Sequence, residues 1–274
     1  MDTSPAHITR FTIIFFPLLA VTLSGCAYFT ETDDSPVNCP VADLPKNHPP
    51  FNSAAQKRLE QLIKRANNTS KDSPESTVFV RLNKQGTPLT GHNNAPGTVE
   101  FRTAPWSCVK DRRTGLTWES KTNDLSLHDK RWTYTWYEPT QISKDNYAGK
   151  TDGGKCPEGN ICDTQAYVAA VNAKKLCGHE DWRLPNIFEL HTLLNRKDNC
   201  PGTCTDKHYF PNTAKGGYWS SSPFEKFICY AWGVDFELGD ASGAHKDTPL
   251  YIRLVRGEMS GSASNPENTH TGKK

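Results

Sequence analysis

The stretch Cys177-Gly178-His179-Glu180-Asp181-Trp182-Arg183-Leu184-Pro185-Asn186-Ile187-Phe188-Glu189-Leu190 gathers Cys, His, Glu, Asp and Arg in fourteen residues. It reads either as an active site or as a joint between structural elements. A metal or hydrolytic site would need a spacing that turns side chains toward one point, such as H-x-x-x-H or H-E-x-x-H on a helix, and His179, Glu180, Asp181 and Arg183 do not offer it. The structural reading accounts for more of the residues. Gly178 suits a left-handed helix stop, and Trp182-Arg183-Leu184 is a short extended piece held out of helix by Pro185. Asn186 sits at an N-cap with Glu189 placed to complete a capping box. Ile187, Leu190, Leu193 and Leu194 follow as the apolar stripe of a second helix. The stretch is therefore a helix stop, an extended bridge and a helix start.

Working outward, 163–177 reads as the preceding helix, with Asp163 or Thr164 as N-cap and a face of Ala166, Ala169, Ala170, Ala173 and Cys177 suited to close packing. Most of what surrounds the two helices has strand character. Val78, Val80 and Leu82 alternate before the turn-forming Asn83-Lys84-Gln85-Gly86, which suggests a hairpin. Trp132, Tyr134 and Trp136 share one face of another segment. Ile228, Tyr230, Trp232, Val234 and Phe236 alternate in a third, and 250–256 alternates again. These are antiparallel strands of a two-faced sheet. The segment 141–159 is polar and irregular, a kind of loop that often carries function. Antiparallel strands, two main helices and long loops make an α+β domain.

The N-terminus differs from the rest. Arg10 is the sole formal positive charge of the first thirty residues, and the apolar run 11–21 is shorter than the ~20 residues of a spanning helix. Leu23-Ser24-Gly25-Cys26 follows and resembles the bacterial lipobox, so 1–25 is expected to be a lipoprotein signal peptide and Cys26 the lipidated first mature residue, carrying acyl chains such as palmitate. Ala27, where Asp would favour inner-membrane retention in similar lipoproteins, points to the outer membrane. The polar, Pro-bearing segment 26–50 reads as a flexible tether. An amphipathic helix is expected at 51–67, within a helix-and-linker segment 51–76, packed on its own domain or acting as a docking element. The main domain is placed at 77–258 and a disordered tail at 259–274.

Export to an oxidising compartment makes the cysteines disulfide candidates. Of nine, Cys26 is assigned to lipid, leaving an even set: Cys39, Cys108, Cys156, Cys162, Cys177, Cys200, Cys204 and Cys229. Cys156/Cys162 and Cys200/Cys204, close in sequence beside Pro and Gly, are expected to be local staples, while the remaining connectivity stays open. No C-x-x-C or spaced histidine pair favours zinc, so no metal centre is assigned. With 32 Lys and Arg against 30 Asp and Glu and no basic block in the mature chain, nucleic acid is not an expected partner.

A family resemblance is carried by Trp106-Ser-Cys-Val-Lys-Asp-Arg-Arg-Thr-Gly-Leu-Thr-Trp-Glu119, Tyr134-Thr-Trp-Tyr137, Asp163-Thr-Gln-Ala-Tyr167, Val171-Asn-Ala173, Leu176-Cys-Gly178, Asp181-Trp-Arg-Leu-Pro185, Glu189-Leu190, Tyr218-Trp-Ser-Ser221, Ala231-Trp232, Val234-Asp-Phe236 and Arg253-Leu-Val-Arg256. These ordered elements resemble the Lcl C-terminal domain family, named after the C-terminal domain of a Legionella collagen-like adhesin. The resemblance implies a C-type-lectin-like fold, export or surface anchoring, and binding of sulfated polysaccharide in adhesion. The Gly-X-Y repeat of the founding adhesin is absent from this sequence.

The expected function is that of an envelope-anchored lipoprotein whose lectin-like domain binds without catalysis. Trp132, Tyr134 and Trp136 are candidates for stacking on sugar faces, although a core-facing stripe has the same pattern. Asp145, Asn146 and Asp152 supply oxygen ligands for which a structural Ca2+ would be the fitting ion. The Glu-Pro-Asn, Gln-Pro-Asp and Trp-Asn-Asp elements of calcium-dependent sugar-binding lectins are absent. One alternative is a structural or assembly subunit of an envelope complex. Another is an oxidase of the formylglycine-generating type, which needs a reactive thiol pair; neither G-x-S-x-G nor H-E-x-x-H points to a hydrolase. Lipidation is open to direct measurement. Cys26→Ser is expected to abolish acylation, read as loss of the lipid mass increment and transfer of the chain from the membrane to the soluble fraction.

Overall fold

β1 (Phe79–Leu82) runs into the expected turn, in which the Gly86 amide donates to the Asn83 carbonyl at 2.9 Å and the Leu89 amide donates to the Arg81 carbonyl at 2.9 Å. The hairpin is therefore present. Gly86 has φ +79°, and a Cβ there would lie 2.4 Å from the Cys177 carbonyl oxygen, so turn shape and close packing both require glycine. The computed structural model describes residues 61, 78–89, 101, 105–141, 147–195, 202–224 and 227–259. The leader 1–25, Cys26 and the tether, Cys39, the linker 68–76, Asp145, Asn146, Cys200 and the tail from 260 lie outside the described residues. Of the helix expected at 51–67, Gln61 alone is described, and it is helical.

β1 pairs antiparallel with β2 (Cys108–Asp111), which pairs with β3 (Thr117–Glu119), which pairs with β7 (Val255–Arg256). A second antiparallel sheet has the order β4 (Gly217–Pro223), β5 (Tyr230–Asp235), β6 (Asp240–His245). Much of the expected strand 250–256 contributes isolated bridges instead, pairing Tyr134 with Leu250 and Tyr218 with Tyr251. The two helices are α1 (Thr164–Ala173) and α2 (Ile187–His191). The α+β class thus holds. None of the described helices is long and apolar enough to cross a membrane.

Successive strand residues feed two different hydrophobic clusters. Phe79, Val109, Trp118, Tyr218, Val234 and Val255 join one cluster, with Ile187, Leu190 and Leu193 from α2 and the turn after it. Val80, Cys108, Trp219, Ala231 and Leu254 join the other, with Tyr167 and Val171 from α1. Because side chains alternate across a strand, the strands lie between two cores, and apolar contacts cover both sides. The sheet is therefore not divided into one core face and one wet face. Small residues such as Ala231 let the second cluster approach the side of β5 opposite Val234. Ile228, placed in the stripe by its spacing, is exposed.

Two features of the first helix depart from the sequence reading. α1 has the expected Asp163 N-cap, whose carboxylate accepts from the Ala166 amide at 2.8 Å, but it ends at Ala173. Lys175 (φ 50°) and Cys177 (φ 51°) are left-handed, so the chain turns before Cys177 instead of continuing as helix. The buried face is Thr164, Tyr167 and Val171, while Ala169 and Ala173 face solvent. Bulk at Tyr167 and Val171, rather than small size at the alanines, determines which side is buried.

The turn delivers Cys177 to Cys108 in β2, forming a disulfide across 69 residues. Cys156 and Cys162 form the expected local staple across 6 residues. Cys204 and Cys229 each take part in a further disulfide. Constraint of the unfolded chain grows with loop length, giving about 4 kcal/mol for the long loop against about 2 kcal/mol for the short one. Replacing both Cys108 and Cys177 with Ala should therefore lower stability roughly twice as much as replacing Cys156 and Cys162. Urea unfolding of the two double variants checks this order, and equal losses would contradict it.

Candidate functional site

The extended bridge of the opening stretch is fixed from several sides. The Trp182 amide donates to Asn172 Oδ1 and the Asn172 amide group donates to the Trp182 carbonyl, both at 2.8 Å, tying the bridge to α1. Trp182 Nε1 donates to the Leu176 carbonyl at 2.8 Å, so its buried indole is satisfied. Arg183 pairs through its backbone with Val255 at 2.9 and 3.0 Å. The Ser221 amide donates to the Pro185 carbonyl at 2.8 Å, and the Ile187 amide donates to Ser222 Oγ at 3.0 Å.

The capping box forms as the spacing predicts. The Glu189 amide donates to Asn186 Oδ1 at 2.9 Å, and the Asn186 amide donates to Glu189 Oε2 at 2.8 Å. Glu189 also engages a cation, its two carboxylate oxygens taking the Arg183 guanidinium in a fork, each at 2.7 Å. The Leu184 and Gly257 carbonyls accept the other Nη hydrogens at 3.2 and 2.8 Å. The guanidinium pKa is raised, first by the Glu189 hydrogen bonds, so Arg183 keeps its charge at neutral pH. Asp181 pairs with Arg256 at 2.8 Å, and exposed Glu180 pairs with Lys175 at 3.0 Å. The polar side chains of the opening stretch thus serve mainly as fasteners.

This bridge forms one wall of a cleft of ≈ 410 Å³. Arg183, Leu184 and Asn186 line it with Trp136, Tyr137, Glu138 and Thr140 from the segment before α1, with Thr164, Gln165 and Val168 from α1, and with Ser221 from β4. The volume falls within the ~300–1,000 Å³ typical of small-molecule clefts. Apolar and aromatic surface comes from Tyr137, Val168 and Leu184, while Trp136 reaches the lining from the core and the rest of the lining is polar. Tyr137, Gln165 and Ser221 fall within the family motifs but, like Glu138, carry no sequence signal that joins them into a site. They come from three separate segments and share no spacing.

The aromatic stripe requires a correction. Tyr134 and Trp136 are each 1% exposed and belong to the second core, so they cannot form an exposed stacking platform. Trp219 Nε1 donates to the Tyr134 carbonyl at 2.8 Å and Trp136 Nε1 donates to the Ser220 carbonyl at 2.9 Å, which binds this segment to β4. The Lys246 ammonium lies 4.4 Å from the Trp136 ring centroid and donates to the Tyr147 carbonyl; burial pulls its pKa down to about 8. Trp132 is half-buried, with its Nε1 on the Ser126 carbonyl at 2.7 Å. Asp152, proposed as an ion ligand, has its Oδ1 accepting from the Cys162 amide at 2.9 Å, which holds the stapled loop. Among the described residues no group of three or more His, Cys, Asp or Glu comes together as a metal site.

Two of the three consecutive serines are structural. Ser220 Oγ donates to the Trp232 carbonyl at 2.7 Å, and Ser222 Oγ accepts from the Ile187 amide, leaving Ser221 to face the cleft. The six described cysteines, Cys229 included, are all in disulfides, whereas oxidase chemistry of the formylglycine-generating type needs a reactive thiol pair.

A second polar constellation lies inside the domain, away from the residues that line the cleft. Glu119 is fully buried, and its Oε1 receives Lys121 Nζ at 3.0 Å, His128 Nδ1 at 2.8 Å and the Tyr167 hydroxyl. Its Oε2 accepts from the Leu254 amide at 3.0 Å, and its backbone carbonyl accepts from Arg253 at 2.9 Å. Burial alone would raise the Glu119 carboxyl. The Lys121 charge and the His128 and Tyr167 hydrogen bonds outweigh it and hold the group well below the ordinary carboxylate range. Tyr167 is pushed far up, by burial first and by Glu119 next.

A carboxyl whose pKa is lower in the folded than in the unfolded chain contributes stability that is fully present above the unfolded value, about 4.3, and is lost as pH falls toward the folded value. Glu119→Gln removes this linkage and leaves the Lys121 ammonium buried without its counter-charge, a loss of about 3–5 kcal/mol at neutral pH. The variant should also lose stability less steeply than the parent as the medium is acidified below about pH 4. Urea unfolding across pH measures both, and parallel acid limbs would contradict the assignment.

The Lcl C-terminal domain family model matches residues 107–256, which takes in β2, β3, both helices, the whole second sheet and the cleft. No curated relative and no solved structure matches the chain significantly. The match spans more than half of the sequence and its ordered motifs are those on which this domain is built. This chain belongs to the Lcl C-terminal domain family.

Proposed function

We propose that this chain is an envelope-anchored lipoprotein whose C-type-lectin-like domain binds extracellular polysaccharide in adhesion, without catalysing a reaction. The observation that carries the reading is the 136–140, α1 and 183–186 cleft, where polar groups and apolar surface converge with no reactive thiol or serine–histidine pair in its lining. A binding module needs this combination, because sugars present both hydroxyls and an apolar ring face. Family membership supports the reading through the adhesin for which the family is named. The proposed lipid on Cys26 would hold the domain at the outer membrane, and the tether 26–50 would give it reach.

The purified full-length chain in detergent, presented to surfaces bearing sulfated and neutral polysaccharides, should be retained by at least one class and release no cleavage product. Absence of retention on every glycan would overturn this reading and favour the alternative of an assembly subunit in an envelope complex.

A further inference from the structure

The cleft's hydrogen-bonding groups are not equivalent: some are already engaged and others are open, and the difference specifies a ligand class. Arg183 is the cation among the described residues of the lining, and it is committed. Both of its Nη atoms are shared between the Glu189 carboxylate and backbone carbonyls, and the carboxylate offsets its charge. Thr164 Oγ1 is engaged with the Tyr137 amide and carbonyl, both at 2.9 Å. Glu138 Oε1 holds Thr140 through its amide at 3.1 Å and its hydroxyl at 2.8 Å, while Glu138 Oε2 has no partner among the described residues. Also without a partner there are the Gln165 amide, Asn186 Nδ2, Ser221 Oγ and the Tyr137 hydroxyl.

With Arg183 matched by Glu189, the uncompensated charge among the described residues of the lining is the Glu138 carboxylate. A sulfate or carboxylate ligand would meet that negative charge and find no free guanidinium fork, at a like-charge cost in a partly desolvated site. The open groups instead combine acceptors (Glu138 Oε2, the Gln165 and Ser221 oxygens) with donors (the Gln165 and Asn186 amides, the Tyr137 and Ser221 hydroxyls). They share the lining with the apolar surface of Tyr137, Val168 and Leu184. Vicinal hydroxyls, each both donor and acceptor, fit such a lining, with the apolar face of the ring against Tyr137. We infer that the cleft binds an uncharged, hydroxyl-rich saccharide and that anionic glycans are disfavoured there. This inference rests on the polysaccharide-binding reading and deepens it, since the family resemblance alone would suggest a sulfated ligand.

The test uses the full-length chain in detergent with dextran and mannan as neutral probes and heparin as the sulfated probe. Binding to at least one neutral polysaccharide is expected, with affinity changing less than about twofold between about 50 and 500 mM salt, because no ion pair is formed. Gln165→Ala combined with Ser221→Ala, two exposed side chains without structural bonds of their own, should weaken that binding by about tenfold or more while leaving the unfolding midpoint unchanged. Tyr137→Ala should weaken it at least as much. Binding to heparin alone with steep salt dependence would overturn the inference and leave the polysaccharide-binding reading standing, as would neutral binding untouched by the cleft variants. Failure to bind any of the three, together with failure across the wider glycan surfaces, would overturn both.

Discussion

A carboxylate removed from water costs several kcal/mol unless its oxygens are met by donors and its charge by a counter-charge, and Glu119 meets both conditions inside this domain. The groups that satisfy it come from distant parts of the chain: Lys121 and His128 on the segment leaving β3, Tyr167 on α1, and the Leu254 amide just before β7. Arg253 then links the Glu119 carbonyl to Thr213 at 2.9 Å and lies over the Phe210 ring at 4.9 Å. Apolar contacts can slide, whereas a buried ion with fixed donors tolerates few arrangements. The position of α1 against the β1-β2-β3-β7 sheet is therefore set by polar geometry as well as by packing.

The same economy of polar groups shapes the cleft. Asn172 fastens the 182–187 bridge to α1, Val255 joins it to the sheet, and Ser221 and Ser222 join it to β4. Bonds that fix the bridge can also engage groups of the site, and Arg183 shows this most clearly. Its charge and its fork are used in orienting the capping box, so a residue that looks like an anion clamp in the sequence is a strut in the fold. The open groups that remain stand on α1, β4, the N-cap of α2 and a segment held to β4 by two indole hydrogen bonds. Placement on rigid elements suits a site meant to recognise shape rather than to rearrange.

The family relationship and the cleft both support the proposed polysaccharide-binding reading. Membership in the Lcl C-terminal domain family connects the chain to an adhesin-type domain, and the cleft combines polar groups with apolar surface. The fold by itself would not have done so, since one scaffold carries many functions and the side chains of the site decide among them. The charge of the lining is the more specific property, because it separates ligand classes that an overall balance of 32 basic and 30 acidic residues cannot.

Much of this architecture is legible in the sequence because its signals are local. The Asn186–Glu189 capping box, the Asp163 N-cap, the turn at Asn83–Gly86, the left-handed Gly178 and the Cys156–Cys162 staple each follow from residues within a few positions of one another. The ordered motifs from Trp106 to Arg256 identify the family for the same reason: they are linear. What depends on distant segments is not written in that way. The end of α1 before Cys177, the choice of Tyr167 and Val171 as its buried face, and the burial of Tyr134 and Trp136 follow from where Cys108, Glu119 and β4 lie in space. A strand stripe looks the same in sequence whether water or a second core lies beyond it. The cleft is likewise a product of the tertiary structure, for Tyr137, Gln165, Asn186 and Ser221 meet only after the chain has crossed itself, and hydrogen bonds made in that crossing decide which polar groups stay open to a ligand.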